Sequence, residues 1–446
     1  MQISPAMQPL PDLRRNLAST IEDSAGAQAR EKPESLRVLV HGINYAPELT
    51  GIGKYTGELC EWLAQRGHAV RVVTAPPYYP EWRVQSGYTA CFYRRERRNG
   101  VLVQRCPLWV PRKLTSVRRM AHLASFAASS APLVAAACLW RPDVVLAVEP
   151  TLFCAPAAWL AARLARAKAW LHVQDFEFDA AVSLGLLPQK LARPVCSMER
   201  RFMRAFDRVS TISEKMRDRL TTKGIDEARS VLFPNWVDCT EIHPLTGPSR
   251  MRADLGIPPT ACVALYSGNM GEKQGLEIVV EAAARLSRER GLLFLLCGDG
   301  AARKRLEASA AGLPNVRWLP LQPVERLNAL LNVADVHLLP QRADAADLVM
   351  PSKLTGMLAS GRPVLATAHA GTGLARLANE CGVVTPPGDA AAFAAALREL
   401  QRHGIARRAL GAAARRYAEQ NLHKDAVLMR FERELLSCVA RKSDER

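Results

Sequence analysis

The sequence predicts an α/β protein made of two doubly wound domains that face each other across a cleft. Short apolar strands such as RVSTIS and SVLFPN alternate with helical segments along the chain, which is typical of mostly parallel sheets covered by helices on both faces. At 446 residues the chain is too long for one ordinary core. A strand, a glycine turn and a helix follow one another twice, from Arg37 and from Val263, so each half is predicted to form one Rossmann-like domain.

Composition changes along the chain predict the domain boundaries. Residues 1–35 are rich in Pro, Ser, Ala and charge, which predicts a disordered extension. We expect an N-terminal domain over 36–235, a proline-containing linker over 236–249 and a C-terminal domain over 250–423. The amphipathic segment 424–440 is expected to form a helix that packs back on the first domain.

The charge balance predicts anionic partners. Lys and Arg number 60 against 43 Asp and Glu, a net charge of +17, so acidic lipids, phosphorylated ligands and nucleic acid all qualify. The arginines are scattered along helices rather than gathered in an aromatic-interleaved patch, which argues against a nucleic-acid module. A basic belt that faces an anionic membrane fits better.

The cysteines and the N-terminus predict a cytoplasmic protein without a metal site. The eleven cysteines form no CxxC pair and no Cys/His cluster at metal-ligand spacing, as expected of reduced core residues. The first 35 residues contain no apolar run of signal-peptide length, so export is not expected.

Two stretches of the first half leave alternatives open. The segment 122–140 is nearly uncharged, but serines dilute it and Pro132 interrupts it, so we expect less than a membrane span. It is interpreted as a helix buried against the sheet or, as the alternative, one that lies in the membrane interface behind the cationic RKLTSVRR. The basic stretch RRERRNG is interpreted as a solvated connector, with an acceptor-facing lid as the alternative.

The richest motif of the second half is VALYSGNMGEKQGLE, which predicts an anion site. Gly268, Gly271 and Gly275 allow a tight turn after a buried strand, and a helix is predicted to begin near Gly275. The free N–H groups of its first turn and the charge of Lys273 favour a phosphate or diphosphate. The related stretch with Gly51, Gly53 and Lys54 lacks the GxGxxG fingerprint, so a nicotinamide cofactor is not indicated.

A second cationic helix start follows in MPSKLTGMLASG. Ser352 is predicted to cap this helix and Lys353 to add charge, so that Lys273 and Lys353 converge on one diphosphate. In LLCGDG, Gly298 and Gly300 either leave room beside a bound ring or, as an equal alternative, form a simple turn between a strand and a helix. With two lysines at the diphosphate and no Asp-x-Asp pair, a metal ion is not required.

The order of motifs resembles the family 4 glycosyltransferases of the GT-B fold from Arg37 to about Phe431. The stretches that carry the resemblance are INYAPELTGIGKYTGE, TAPPYYPEW, PTLFCAP, STIS, FPNW, LYSGNMGEKQGLE and MPSKLTGMLASG. The resemblance implies transfer of a sugar, with GDP-fucose as the donor, to a polyprenyl-diphosphate-linked acceptor during exopolysaccharide assembly. It also implies retention of the anomeric configuration and a peripheral position on the inner face of the plasma membrane, with no cofactor besides the nucleotide-sugar substrate.

The resemblance also implies that the N-terminal domain is the acceptor side and that the C-terminal domain binds the nucleotide sugar, and it assigns roles to individual residues. Gly51 and Gly53 are implied to line the donor diphosphate and the acceptor cleft. Asn269 and Lys273 match the family's phosphate-binding pair, and Ser352 and Lys353 complete the phosphate cradle.

Three departures from the family pattern affect the catalytic positions. The two glutamates of the family's Glu-x7-Glu pair are replaced by Leu348 and Gly356, with Asp347 one residue away as a partial substitute. Asn269 stands where the family has an arginine. The family histidine that contacts the donor sugar matches Gln174 or Asp175, and His172 lies two residues earlier on the same strand face. His172 is therefore either a donor contact or a core histidine, and core placement is the more common.

Two other function classes remain open from the sequence. One is a GT-B epimerase or phosphorylase, which would not require a lipid acceptor. The other is a catalytically degenerate nucleotide-sugar-binding or membrane scaffold protein, which the missing glutamate pair favours.

Overall fold

The computed structural model describes residues 35–49, 51–112, 115–149, 152–176, 189–342 and 351–440. The described residues from Leu36 onward belong to one compact unit. Two sheets organise this unit, and helices pack against them.

The first sheet has eight strands in the order β3-β4-β2-β1-β5-β6-β7-β8. Neighbouring strands are parallel except for the antiparallel pair β3 and β4. The strands are β1 (Arg37–His41), β2 (Ala69–Thr74), β3 (Arg94–Arg98), β4 (Val101–Arg105), β5 (Val144–Glu149), β6 (Lys168–Val173), β7 (Arg208–Thr211) and β8 (Ser230–Leu232). The α-helices are α1 (Gly51–Gln65), α2 (Ser116–Ala137), α3 (Ala155–Ala165), α4 (Gln189–Ala205) and α5 (Glu214–Thr222).

The second sheet has six parallel strands in the order β11-β10-β9-β12-β13-β14. The strands are β9 (Cys262–Ser267), β10 (Leu292–Cys297), β11 (Val316–Leu319), β12 (Val336–Leu339), β13 (Val364–Thr367) and β14 (Gly382–Thr385). The α-helices are α6 (Arg250–Asp254), α7 (Glu277–Arg285), α8 (Arg303–Ser309), α9 (Leu327–Leu331), α10 (Lys353–Ala359), α11 (Gly373–Cys381), α12 (Ala390–Arg402), α13 (Gly404–Tyr417) and, after a π-helical turn over Ala418–Leu422, α14 (Lys424–Ala440).

The predicted fold class is confirmed. The central strands are buried along most of their length, β5 and β10 at every residue, as expected for parallel sheets covered on both faces. This burial explains why continuous apolar runs rather than alternating ones marked the strands in the sequence. In both sheets the strand order reverses beside the first strand, which places a crevice at the carboxyl ends of the strands.

The stretch RRERRNG is not a connector. It forms β3, which pairs with β4 as an edge strand, and Asn99 and Gly100 make the hairpin turn with φ angles of 45° and 85°. An Asn-Gly pair is favoured in such turns because both residues tolerate positive φ. Glu96 of β3 reaches back to the buried Arg105 at 2.8 Å, so the strand also neutralises a charge inside the domain.

Helix α2 is more exposed than the expected core helix. Residues Val117–Trp140 are long and apolar enough to cross a membrane by length and composition, and only 28% of their most apolar stretch is buried. The helix continues through Pro132. Phe126 and Val134 face the core, whereas Val117 and Leu139 are 79% and 90% exposed. Burial therefore accounts for one side of α2 and leaves an apolar outer face.

Helix α14 packs on the first sheet, not on the second. Val427, Leu428 and Phe431 share a core with β1 and β5 residues, and Glu432 accepts hydrogen bonds from Arg66 and contacts His68 at 2.9 Å. The chain therefore crosses between the sheets twice. The crossings lie side by side, because Val237 donates its N–H to Leu422 at 2.9 Å and accepts from the N–H of Lys424 at 3.0 Å.

Candidate active site

The two domains meet where α1 approaches α10. The buried Tyr55 hydroxyl forms a hydrogen bond with Thr355 of α10, and burial raises the Tyr55 pKa to about 12. Tyr55 also packs edge-on against Trp236, with ring centroids 5.1 Å apart. These contacts bring the first turns of α1 and α10 to the same region, which is the cleft that the sequence predicts.

Lys353 is the cationic group at the start of α10. Its Nζ lies 4.0 Å from the centroid of the Tyr266 ring, and its side chain passes beside Gly268, where an added Cβ would lie 3.5 Å from Cδ. Burial lowers the Lys353 pKa to about 7, because an enclosed ammonium loses its hydration. The lysine thus reaches the loop that follows β9. Its convergence with Lys273 on one diphosphate stays a prediction.

The loop after β9 packs tightly against the loop after β10. A Cβ added to Gly298 would lie 1.9 Å from the carbonyl oxygen of Gly268, and one added to Gly300 would lie 2.6 Å from Asn269 Oδ1. Their φ angles of 142° and 152° also favour glycine. The room expected beside these glycines is therefore filled by the 268–270 backbone. A donor contact by Gly298 stays a prediction.

The remaining residues of the predicted phosphate cradle have different outcomes. Asn269 is exposed at the strand edge, where its carbonyl accepts a hydrogen bond from the Tyr266 hydroxyl at 2.5 Å. Ser352 immediately precedes α10, but its side chain makes no capping hydrogen bond and its backbone is helical, so the predicted cap is wrong. The side chain of Lys273 and the whole of Asp347 lie outside the described residues.

Helix α7 begins later than expected. Glu272–Gln274 forms a 3-10 turn, Gly275 adopts φ 61°, and the α-helix starts at Glu277. Because the N–H of Ile278 donates to Gly275 and that of Val279 to Leu276, the first turn keeps fewer free donors than the sequence suggested. More of the positive charge at the site must then come from the lysines.

Glu48 organises the first turn of α1. Its carboxylate is buried and accepts from the backbone N–H groups of Tyr78 and Tyr79 and from Asn44 Nδ2, each at 3.0 Å. Burial raises the Glu48 pKa against the opposing effect of these donors. A Cβ on Gly53 would lie 2.4 Å from Glu48 Oε2. The missing side chain at Gly53 therefore leaves room for the Glu48 carboxylate. Contact of Gly51 or Gly53 with a donor stays a prediction.

His172 lies inside the first domain. It is 3% exposed, its Nδ1 is 2.9 Å from Ser210 Oγ, and its ring is 5.0 Å from that of Phe233. Burial lowers its pKa to about 3, so the imidazole is neutral at physiological pH. Helix α14 covers this face because Phe431 stacks on Phe233 at 4.0 Å. These surroundings are those of a core histidine, and a catalytic role for His172 stays a prediction.

The position that corresponds to the family's second glutamate lies on α10. A Cβ added to Gly356 would meet Leu331 at 3.4 Å, so a larger residue there would press against α9. Within the described ranges, no group of three or more His, Cys, Asp or Glu side chains could hold a metal ion. Metal independence stays a prediction.

Two family models match the chain, one on each domain. Residues 50–236 match a glycosyl transferase 4-like domain and residues 261–403 match the glycosyl transferases group 1 model. The chain is 43% identical over 410 residues to WcaI of Escherichia coli K12, covering 89% of this chain and 98% of that protein. The chain belongs to the family 4 glycosyltransferases. A D-inositol 3-phosphate glycosyltransferase of Geodermatophilus obscurus is 31% identical over 54% of each chain.

Solved structures agree with a GT-B glycosyltransferase fold. Sucrose-phosphate synthase from Thermosynechococcus elongatus superposes with a TM-score of 0.71 at 16% identity, covering 91% of this chain and 100% of that one. HepE of Anabaena in complex with UDP and glucose gives a TM-score of 0.64 at 15% identity, covering 90% and 100%. The family assignment confirms that this glycosyltransferase is an enzyme of the predicted class.

Sequence reasoning missed three residues of this glycosyltransferase's site. Glu48 lies within a stretch quoted for the resemblance, but nothing in its spacing revealed a buried carboxylate that collects two backbone N–H groups. Tyr266 had the pattern of an ordinary strand residue. Arg105 is 1% exposed and donates to the carbonyls of Ala46 and Ala75. The sequence did contain one indication that Arg105 is special, because a charged residue stands at the end of an otherwise apolar strand.

Proposed function

We propose that this glycosyltransferase moves a sugar from a nucleotide donor to a polyprenyl-diphosphate-linked saccharide in the synthesis of a colanic-acid-like exopolysaccharide. The similarity to WcaI, whose name places it in colanic acid biosynthesis, supports the pathway class. The proposed donor is GDP-fucose. The observation that carries the proposal is the enclosed ammonium of Lys353 between Tyr266 and the loop after β9.

The proposed chemistry depends on holding the leaving diphosphate. As the sugar–phosphate bond breaks, negative charge develops on the diphosphate, and a preorganised cation stabilises it more strongly than water does. Lys353 would supply this charge, and the proposal assigns a second positive charge to Lys273. The proposal includes retention of configuration and no cofactor other than the nucleotide-sugar substrate.

Nucleotide binding can be tested before any acceptor is available. We expect excess GDP to raise the melting temperature of the purified protein more than UDP or ADP. A ligand at 100 times its dissociation constant contributes about 2.7 kcal/mol. A larger shift with UDP would contradict the guanosine donor but not the enzyme class. No shift with any of the three would contradict the donor site.

A degenerate nucleotide-sugar-binding protein is the second candidate. Leu348 and Gly356 at the positions of the family glutamates favour it, because they remove two carboxylates that the family places at the donor. This candidate predicts a thermal shift with nucleotide and no sugar transfer.

We further propose that the first domain binds the inner face of the plasma membrane through α2 and α3. Leu139, in the 3-10 turn that continues α2, is 90% exposed, and Leu160 and Leu164 of α3 are 51% and 65% exposed. Arg141 and Arg163, which lie close to these leucines in the sequence, are also exposed. Exposed apolar residues next to cations are the composition of a surface that binds anionic bilayers.

Cosedimentation with vesicles tests the membrane proposal. The double variant Leu139→Glu/Leu164→Glu should lose binding to phosphatidylglycerol vesicles and keep its nucleotide-induced thermal shift. Ile405→Glu is the matched control, because Ile405 is 80% exposed on α13 of the other domain. Equal binding by both variants would contradict this surface.

A further inference from the structure

A groove of about 950 Å³ opens on the first domain between the loop after β2, the loop after β4 and helix α2. Its size lies in the range of roughly 300–1,000 Å³ that is usual for small-molecule sites. None of the residues that line the groove belongs to the Lys353 site, so the groove is a separate feature of the first domain.

The groove has an apolar wall that is held in place. Trp82 lines it and packs against Tyr78 and His122, with ring centroids 5.6 Å and 5.2 Å away. Trp109, on the opposite loop, is 47% exposed, and its carbonyl lies 2.6 Å from His122 Nδ1. His122 therefore contacts both loops: it packs against the Trp82 ring and is hydrogen-bonded to the backbone at Trp109. Such a wall offers a ligand apolar surface rather than hydrogen bonds.

The rim of the groove is cationic. Arg83 and Arg112 line it and are exposed, and only one acid, Glu81, accompanies them. Neither arginine forms a salt bridge with any residue that the structure describes. The groove therefore combines an apolar wall with two guanidinium groups, which suits an amphiphile with an anionic head.

The groove lies at the edge of the first sheet where the strands have their carboxyl ends, the edge at which α1 also begins. Its loops follow the carboxyl ends of β2 and β4, and Glu48 ties the first of them to the start of α1 through Tyr78 and Tyr79. Ser125 and Ser129 of α2 line it as well, so it adjoins the helix whose outer face is apolar. A lipid could pass from the bilayer along α2 into the groove.

We propose that this groove binds the lipid carrier of the acceptor, with the first isoprene units against Trp82 and Trp109 and the diphosphate at Arg83 and Arg112. The inference rests on the proposed lipid-linked acceptor and adds where its carrier binds. A nucleotide fits less well, because the polar edges of its base would find few partners on the apolar wall.

Cys91 provides a test that does not depend on turnover. It lines the groove and is exposed, whereas Cys138 and Cys196 are partly buried and do not line it. Alkylation by N-ethylmaleimide would be followed by mass spectrometry on the full-length protein. Farnesyl diphosphate at roughly ten times its dissociation constant should slow the alkylation of Cys91 about tenfold. Cys138 and Cys196 should react at unchanged rates.

Three comparison probes identify the source of any protection. Inorganic diphosphate, GDP and phosphatidylglycerol vesicles without prenyl lipid should leave Cys91 reactive. Protection by GDP would place the nucleotide in the groove, and equal protection by the vesicles would make it a general lipid surface; either result overturns the proposal. Absence of protection by farnesyl diphosphate also overturns it, whether or not GDP shifts the melting temperature.

Charge removal at the rim gives a second, independent readout. Arg83→Gln/Arg112→Gln should require at least about tenfold more farnesyl diphosphate for the same protection, as expected when charge-assisted hydrogen bonds are lost. Arg95→Gln/Arg97→Gln removes two exposed arginines from β3 as the matched control. Equal protection in both double variants would overturn the role of the rim.

Discussion

Replacement of Lys353 by methionine should lower kcat/KM for sugar transfer by about 10²–10³-fold, the usual cost of losing one preorganised charge stabiliser. Methionine keeps most of the apolar contact with Tyr266, above whose ring the ammonium lies at 4.0 Å, so the loss reports on charge rather than packing. The measurement is initial-rate kinetics with labelled donor. Lys304→Met, at an exposed position of α8, should retain the wild-type rate. Similar kinetics for the two variants would remove Lys353 from the mechanism.

The pH dependence of nucleotide binding tests the same residue without catalysis. Burial lowers the Lys353 pKa to about 7 in the free protein, and a bound diphosphate should raise it. Below pH 7 the lysine is already charged, so its contribution to affinity is complete. Above pH 7 binding must take up a proton, and affinity should fall by up to about tenfold per pH unit until the pKa of the complex is reached. Calorimetric titrations with GDP should show this slope in the wild type and not in Lys353→Met. An equal slope in both would assign the proton to another group.

Replacement of Glu48 by alanine should destabilise the protein by about 2–5 kcal/mol, because two backbone N–H groups and the Asn44 amide lose their acceptor and each unsatisfied buried group costs roughly 1–3 kcal/mol. Glu48→Gln is the matched variant. Both backbone N–H groups donate to the same oxygen, Oε1, so the glutamine carbonyl can replace it. The glutamine NH2 then takes the place of Oε2, which accepts from Asn44 Nδ2, and the Asn44 amide must turn its oxygen toward it. Denaturant unfolding followed by tryptophan fluorescence should therefore give a much smaller loss for glutamine than for alanine. Equal losses would show that the ionised carboxylate matters more than its acceptor geometry.

The Glu48 carboxyl also predicts a direction for the pH dependence of stability. Burial raises its pKa in the folded protein, so the folded state binds this proton more tightly than the unfolded chain does. Between the ordinary glutamate pKa and the raised one, its contribution to stability should fall as pH rises. The difference in unfolding free energy between wild type and Glu48→Gln should show this trend. The opposite trend would mean that the donors around Glu48 outweigh its burial.

Local pattern was sufficient to predict every strand except β3, together with the order of these strands along the chain. Parallel strands that are covered on both faces must be apolar throughout, so β9 and β10 stand out in the sequence. The arrival of Lys353 beside the glycine turn at Gly268 also followed from two strand-to-helix motifs in one sheet.

Long-range packing determined the features that the sequence did not predict. Gly298 was expected to make room for a ligand, yet the Gly268 backbone fills that room because neighbouring loops pack together. Serine is a common N-cap residue, but Ser352 does not have the extended backbone conformation that an N-cap requires. The strand at Arg94–Arg98 is as highly charged as an exposed loop, so the sequence did not mark it as a strand. Its ion pair with the buried Arg105 is a long-range contact that the local sequence does not show.

The most direct test of the account is transfer of labelled fucose from GDP-fucose into organic-extractable, lipid-linked saccharide by the purified protein. We expect transfer that requires the lipid acceptor and is abolished or strongly reduced in Lys353→Met. A protein that binds GDP with a clear thermal shift, yet transfers no sugar from any GDP-, UDP- or ADP-linked donor to such acceptors, would contradict it and leave the degenerate binding protein as the better description.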